Sequence, residues 1–439
     1  MLIHLYVWQK IANTYASFNR NVFLTIGIIP MGKHFAKRVA VTGMGVICAM
    51  GATLPEFSQG LFRGADGIGP ISLFDATGFQ SKYGGQVAEK YLNRPFEPRR
   101  LKRTSRCDLL GLIAAGEALA GADDGRLPYE RDRIGVVLGG GAGGMLSWER
   151  FRKTLFEGRR RPSPSLVLAS APCTLTDLIA NQYDFRGIRS TITTACSSSA
   201  NAIGYAYDLI QAGILDAAIT GGSEALSELT FSGFNALKVM SPEPCRPFDK
   251  NRSGLSLGEG AGILILEKAA TAQKRGARIY AELLGYALNS DAYHMTSPDP
   301  EGEGMLRVMR AALKHAQVDA DRVDYVNAHG TATKMNDRVE SMAIHSVFGD
   351  RSLEEVYVSS TKSMVGHCLG ASGAIEAIAT ALALDTQQLP PTIRLENPDP
   401  ECRLNHVANV GKKQKIRVAI SNSFAFGGNN TCLVFGHAG

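Results

Sequence analysis

Cys196 is the residue most suited to nucleophilic chemistry. It sits in Ala195-Cys196-Ser197-Ser198-Ser199-Ala200, directly after the alternating run Thr191–Thr194 and ahead of an Ala-rich helix that ends near Gly213. Unpaired N–H groups and the positive end of the dipole at such a helix start favour a thiolate and can hold an oxyanion. Plain burial is the commoner fate of a cysteine, so the assignment needs a partner acid or base. Two histidines offer themselves. The apolar run Asp324–Ala328 delivers His329-Gly330-Thr331-Ala332-Thr333 to a loop followed by a helix from about Asn336, and the hydroxyls there suit a polar chain. The run Val356–Ser359 leads through Ser360-Thr361-Lys362-Ser363-Met364-Val365-Gly366 to His367. Glu376, on an otherwise apolar helix from Cys368 to Leu384, needs a buried partner, and Lys362 is the obvious one. Near the C-terminus, Arg417–Ser423 ends in Phe424-Ala425-Phe426-Gly427-Gly428-Asn429-Asn430, a hairpin signal whose glycine pair lets backbone N–H groups approach a ligand.

The elements that must position these residues follow from periodicity. β-branched runs at Arg38–Val46, Arg133–Leu138, Ala217–Thr220 and Ile263–Glu267 alternate with helical stretches such as Asp108–Gly121, which predicts an α/β fold with buried strands. Ser190–Ala212 and Val356–Leu384 share one design, a β run, a sharp turn and a helix of small residues, which points to two duplicated halves. The division expected is residues 37–285 for the half with the nucleophile and 286–439 for the half with the two histidines. Residues 1–36 read as an N-terminal extension, disordered or a mis-assigned start ahead of Met31, with a transit peptide or membrane-surface helix as the alternative.

Bulk properties remove several classes. The chain has 439 residues, 45% hydrophobic and 20% charged, enough for a large core and too apolar for disorder. A net charge of +6 lacks the dense basic stripe of a nucleic-acid binder. The eight cysteines include no CxxC, so neither a metal site nor a disulfide scaffold is expected. No apolar run approaches the roughly 18 residues of a membrane span, the candidate Val22–Ile29 included, so stable membrane insertion is not expected and the cytoplasm is the default compartment.

Taken together, TACSSS around Cys196, NAHGTAT around His329, SSTKSMVGH ending at His367 and NSFAFGGNN around Phe426 resemble the β-ketoacyl-[acyl-carrier-protein] synthases of the elongating, synthase II-like type. The resemblance runs from about Arg38 to Phe435 and includes YAELLGYALNSDAYHMTSPDP at Tyr280–Pro300. It implies a thiolase-like five-layered αβαβα sandwich of two pseudo-repeated halves. It also implies a decarboxylative condensation of an acyl chain on Cys196 with malonyl-carrier protein, in fatty-acid or in specialised polyketide or polyene synthesis. By the same resemblance, Cys196 and Phe426 N–H groups form the oxyanion hole, and neutral His329 and His367 stabilise the decarboxylated malonyl thioester. Lys362 stands near those rings with Asp337, Glu340 and Glu376 in its network. Thr331 and Thr333 hold the pantetheine arm, and Phe424 and Phe426 border the substrate. No cofactor is implied. The implied partners are acyl- and malonyl-loaded acyl carrier protein and a second copy of the chain, with a heterodimer beside a chain-length-factor-like subunit as the alternative.

Acidic carriers are drawn to positive patches. The basic residues at Arg99, Arg100, Lys102, Arg103 and Arg106, the run Arg159, Arg160, Arg161, and Lys238 fall where the family displays its docking groups. The glycine run Gly139–Gly144 resembles a nucleotide loop but lacks the strand-to-helix fingerprint with its acidic residue, which argues against a Rossmann dehydrogenase. In the family this segment borders the acyl pocket, and Ala142 stands where a bulky aliphatic is common, so a roomier pocket is expected. Ala425 replaces a usual glycine. A chain-length factor would lack the nucleophile, and a degradative thiolase would lack the His329 and His367 pair.

Overall fold

The computed structural model describes residues 38–92, 104–123, 127–158 and 161–438. Strand β1 (Val39–Cys48) shows what the apolar runs become, with every residue buried, as expected of a strand covered on both faces. Nine more strands of the long sheet are β2 (Ile134–Gly139), β3 (Arg189–Ile192), β4 (Ala217–Glu224), β5 (Gly260–Lys268), β6 (Ala281–Ser290), β7 (Tyr325–Asn327), β8 (Tyr357–Ser359), β9 (Val418–Ala425) and β10 (Asn429–Gly436), and a two-residue strand, Asn405–His406, edges the sheet beside β8.

The two halves have one topology. The first five strands lie side by side as β1-β5-β4-β2-β3 and the second five as β6-β10-β9-β7-β8. Pairing senses repeat as well. β5 is antiparallel to both β1 and β4, while β2 is parallel to both β4 and β3. Likewise β10 is antiparallel to β6 and β9, and β7 is parallel to β9 and β8. The leaves join where Val39, Ala40 and Val41 pair with Leu283, Glu282 and Ala281. The duplication read from two segments therefore extends to all ten of these strands. It also corrects the expected boundary at residue 285, which would cut β6; the repeat changes over between Lys274, the end of a short helix, and Ala281. The expected extension at residues 1–36 lies outside the described residues.

Helices α1 (Arg106–Asp123) and α2 (Thr174–Tyr183) cover the first leaf, while α3 (Ser198–Gln211) follows β3. Their counterparts are α4 (Glu303–Ala316), α5 (Lys334–Phe348) and α6 (Ser372–Thr386), with α4 and α5 over the second leaf. Between the leaves, α3 and α6 touch each other and strands of both, which makes the middle of five layers. Every residue of α6 from Ser372 to Leu384 is buried, and each large aliphatic so enclosed stabilises the fold by about 1.5–3 kcal/mol. Small residues are required where the helices cross, since a Cβ on Gly373 would stand 2.8 Å from that of Ala200. No described helix is long and apolar enough to cross a membrane.

Candidate active site

The Cys196 elbow is built from small hydroxyls. After β3, Ala195 adopts a left-handed φ of 51°, a conformation that costs a non-glycine residue about 1–3 kcal/mol, and a short 3₁₀ turn runs into α3. Ser198 offsets that strain: its Oγ donates to the Ala195 carbonyl at 2.6 Å and accepts from the Thr194 N–H at 2.9 Å. Ser197 Oγ donates to the Thr194 carbonyl at 2.9 Å. Cys196 is left at the tip, buried but open to a cleft. Burial pushes its thiol up to about 11, against the opposing pull of the Lys362 charge and the Phe426 N–H. Burial thus works against the ionisation that the helix start favours.

His329 leaves the end of β7 with its backbone held from below. Glu340, on α5, accepts from the His329 and Gly330 N–H groups, each at 2.8 Å. Asp337, one turn earlier, accepts from the Ala332 N–H at 3.1 Å and the Phe248 N–H at 2.8 Å. Neither acid forms an ion pair with Lys362, although its charge acts on Glu340; both satisfy buried loop backbone, and Asp337 also faces Arg252 at 3.8 Å. Glu376 alone pairs with Lys362, and both are buried. Lys362 Nζ also donates to the His329 carbonyl at 2.6 Å and stands 3.3 Å from Nδ1 of that ring.

These contacts set the tautomers. An ammonium has only donors, so His329 Nδ1 accepts and its proton sits on Nε2. His367 Nδ1 accepts from the Leu369 N–H at 3.1 Å and lies 2.9 Å from Ser372 Oγ, which again leaves the proton on Nε2. Burial first, and then the Lys362 charge, hold both imidazoles well below the usual histidine range. The rings are 5.4 Å apart and nearly perpendicular. The site thus offers two neutral donors beside a thiol.

The β9–β10 turn closes the constellation. Gly427 takes a φ of 81°, and Phe426 stacks on Phe234 at 5.7 Å while its N–H faces the Cys196 sulfur. Cys196, His329, His367, Thr331, Thr333, Phe424 and Phe426 all line one cleft. The Thr331 and Thr333 hydroxyls are 3.0 Å apart on its wall. Residues not singled out beforehand also line it, among them Phe234, Val239, Asp291, Thr296 and Met335. Asp291 belongs to a loop tied to the Phe426 turn, where its N–H donates to the Gly428 carbonyl at 2.9 Å and the Gly427 N–H reaches the Met295 carbonyl at 2.7 Å. The polar stretch Ser290–Pro298 after β6 was the available signal.

Other expected positions lie elsewhere. Ala142 is half-buried with its N–H bonded to Glu224 at 2.9 Å, and it is not among the residues that line the cleft. Arg106 is no docking group, since its guanidinium is buried against Glu259 and Glu89 and bonded to the Val87 carbonyl. Arg161 and Lys238 are exposed. Lys102 and Arg160, with Arg99, Arg100, Arg103 and Arg159, lie outside the described residues.

Comparison with known proteins agrees with this geometry. A family model described as "Beta-ketoacyl synthase, N-terminal domain" matches residues 36–272, and one described as "Beta-ketoacyl synthase, C-terminal domain" matches 280–396. The chain is 42% identical over 407 residues to the 3-oxoacyl-[acyl-carrier-protein] synthase 2 of Synechocystis sp., covering 91% of this chain and 98% of that one. Among solved structures, the ishigamide ketosynthase/chain length factor aligns with a TM-score of 0.84 at 36% identity, over 92% of this chain and 100% of that one. A type II polyketide synthase acyl-carrier protein in complex with its ketosynthase, bound to the hexaketide, also aligns with a TM-score of 0.84, at 32% identity and the same coverage.

Proposed function

The chain belongs to the beta-ketoacyl synthase family, and from that premise we propose how its cleft condenses an acyl chain with malonyl-[acyl-carrier-protein] to give 3-oxoacyl-[acyl-carrier-protein]. The observation that carries the reading is the meeting of Cys196 with two imidazoles whose protons are both fixed on Nε2. In the first step the Cys196 sulfur attacks the acyl thioester, the tetrahedral oxyanion sits against the Cys196 and Phe426 N–H groups, and the carrier thiol departs with the proton that Cys196 held. In the second step malonyl-carrier protein loses carbon dioxide, and the negative charge that develops on its thioester oxygen accepts from His329 and His367 Nε2–H. The resulting carbanion attacks the Cys196 thioester, the carbon-sulfur bond breaks, and the freed thiolate takes a proton from solvent.

Lys362 acts in this scheme as a positioning residue, holding His329 as a donor with Glu376 as its counter-ion. Thr331 and Thr333 take the pantetheine arm along the cleft wall. Lys238 precedes the cleft residue Val239, so it and Arg161 are the described candidates for carrier docking. The likeness to a ketosynthase/chain length factor favours a second reading in which the chain is the catalytic partner of a heterodimer. A cytoplasmic location goes with either, and the eight free thiols suit a reducing compartment.

The test is reconstitution with acyl- and malonyl-carrier proteins and mass spectrometry of the carrier-bound product. A product longer by two carbons, lost in Cys196→Ala, is expected; no elongation by the parent chain with either partner arrangement contradicts the reading.

A further inference from the structure

The duplicated fold contains a second elbow, and something occupies it. Leu369 takes a left-handed φ of 45° as Ala195 does at 51°, and a 3₁₀ turn over Leu369–Ala371 enters α6 as Ala195–Ser197 enters α3. Gly370 is therefore the counterpart of Cys196. Each elbow faces the end of a strand from the opposite half, β9 at the Cys196 turn and β4 at the Gly370 turn. The last residues of those strands also correspond, since Ala425 pairs with the first residue of β10 and Glu224 with the first residue of β5.

At this pair of positions the halves part ways. Ala425 has no side chain long enough to reach the Cys196 turn, and the N–H groups of Cys196 and Phe426 remain beside the cleft. Glu224 extends a carboxylate into the other turn. Its Oε2 accepts from the Gly370 N–H at 3.0 Å and the Gly141 N–H at 2.8 Å, and its Oε1 accepts from the Ala142 N–H at 2.9 Å. Glu224 is completely buried. A Cβ on Gly370 would fall 2.7 Å from Oε2 and 2.5 Å from the Gly141 nitrogen, so a cysteine cannot stand at this elbow while the carboxylate does.

The structure assigns the Gly370 elbow as a second oxyanion-type site filled by the protein's own Glu224 carboxylate, and makes Glu224 a positioning residue for His367. The linkage runs through one strained turn. Gly370 gives its N–H to Glu224, and Leu369, the residue before it, gives its N–H to His367 Nδ1. With the first bond in place the turn cannot rotate, and the second bond keeps the imidazole proton on Nε2. Without the carboxylate, three N–H groups lose their acceptor, the Gly370 one fully buried and the Gly141 and Ala142 ones partly so, a deficit large enough to rearrange a turn already in a costly conformation. Ser372 Oγ would then be free to accept from a proton on Nδ1, the tautomer with no donor for the substrate oxygen.

This inference rests on the condensing function proposed above. The experiment uses full-length Glu224→Ala and the near-isosteric Glu224→Gln, measuring acylation of Cys196 and decarboxylation of malonyl-carrier protein separately, with ¹⁵N spectra of the His367 ring and added formate. Decarboxylation should fall about 10- to 100-fold while acylation falls much less, the ring should gain Nδ1–H character, and formate should recover activity in the alanine variant. An equal loss of both half-reactions with an unchanged His367 spectrum, or parent-like rates in both variants, overturns it. If Glu224→Ala does not fold, the half-reaction ratio and ring spectrum of Glu224→Gln decide the matter. A parent chain that performs neither half-reaction refutes the proposed function itself, a separate outcome.

Discussion

The Cys196 and Gly370 elbows are two copies of one turn, each ahead of a buried helix and each opposed by a strand end from the other half. Besides Ala195 against Leu369 and Ser197 against Ala371, they differ where the chemistry lies: a thiol against none, and a methyl at Ala425 against a carboxylate at Glu224. The comparison teaches that helix-start N–H donors become a reaction site only when the facing strand leaves them unpaired. The same donors met by an internal anion become a structural joint. Duplication supplied two equivalent frames, and side-chain length at one strand position separates them.

The largest effect should come from making the first elbow like the second. Ala425→Glu would direct a carboxylate toward the Cys196 turn, and acylation of Cys196 should fall by at least the roughly 10²–10³-fold that follows loss of an oxyanion donor. Intact-protein mass spectrometry after exposure to acyl-carrier protein reads this directly, and undiminished acylation would break the correspondence between Ala425 and Glu224.

An effect of comparable size, read in stability, probes what supports the histidine on the other side. Lys362→Met leaves Glu376 buried without its counter-ion, a change of about 3–5 kcal/mol in denaturant unfolding, and adding Glu376→Leu should return most of that stability without returning decarboxylation. Recovery of both would make Lys362 a packing residue only.

The smallest expected change is none. Burial and the Lys362 charge hold His329 and His367 neutral, so their ring ¹⁵N shifts should stay constant as pH falls from 8 through about 6. An inflection near the ordinary histidine value of 6.5 would contradict the two-donor site. For these two rings the unfolded chain takes up protons first, so their contribution to stability is lost as pH falls below about 6.5. The buried carboxyls of Glu224, Glu340 and Glu376, each pushed up to about 7, work in the opposite sense and favour the fold less as pH rises from about 4.5 through that value.

Much of this was legible in the sequence. Cys196, His329, Lys362, His367 and the Phe426 turn each sit at the end of an apolar run beside small or polar residues, a local pattern. What was not legible depends on distant partners or on enclosure. Glu224 bonds Gly370 across 146 positions of sequence, and nothing near either residue announces the other. Asp337 and Glu340 were expected in the network of Lys362, and which atoms they hold, the backbone N–H groups of the His329 loop, depends on their phase on α5. Arg106 sits beside a basic run, yet its helix face points inward, toward Glu259. The thiol was expected to ionise because a helix start is visible in sequence, whereas the desolvation that opposes it depends on the whole surrounding fold.

The most direct test exposes His329→Ala, His367→Ala and the double variant to acyl-carrier protein and then to malonyl-carrier protein, with the acyl group mapped by peptide mass spectrometry. Each variant should carry its acyl chain on Cys196, stable in the presence of malonyl-carrier protein, while carbon dioxide release falls sharply. An acyl group found on another residue, or carbon dioxide released at the parent rate by the double variant, would contradict a cleft in which one thiol holds the chain and two neutral imidazoles stabilise the nucleophile.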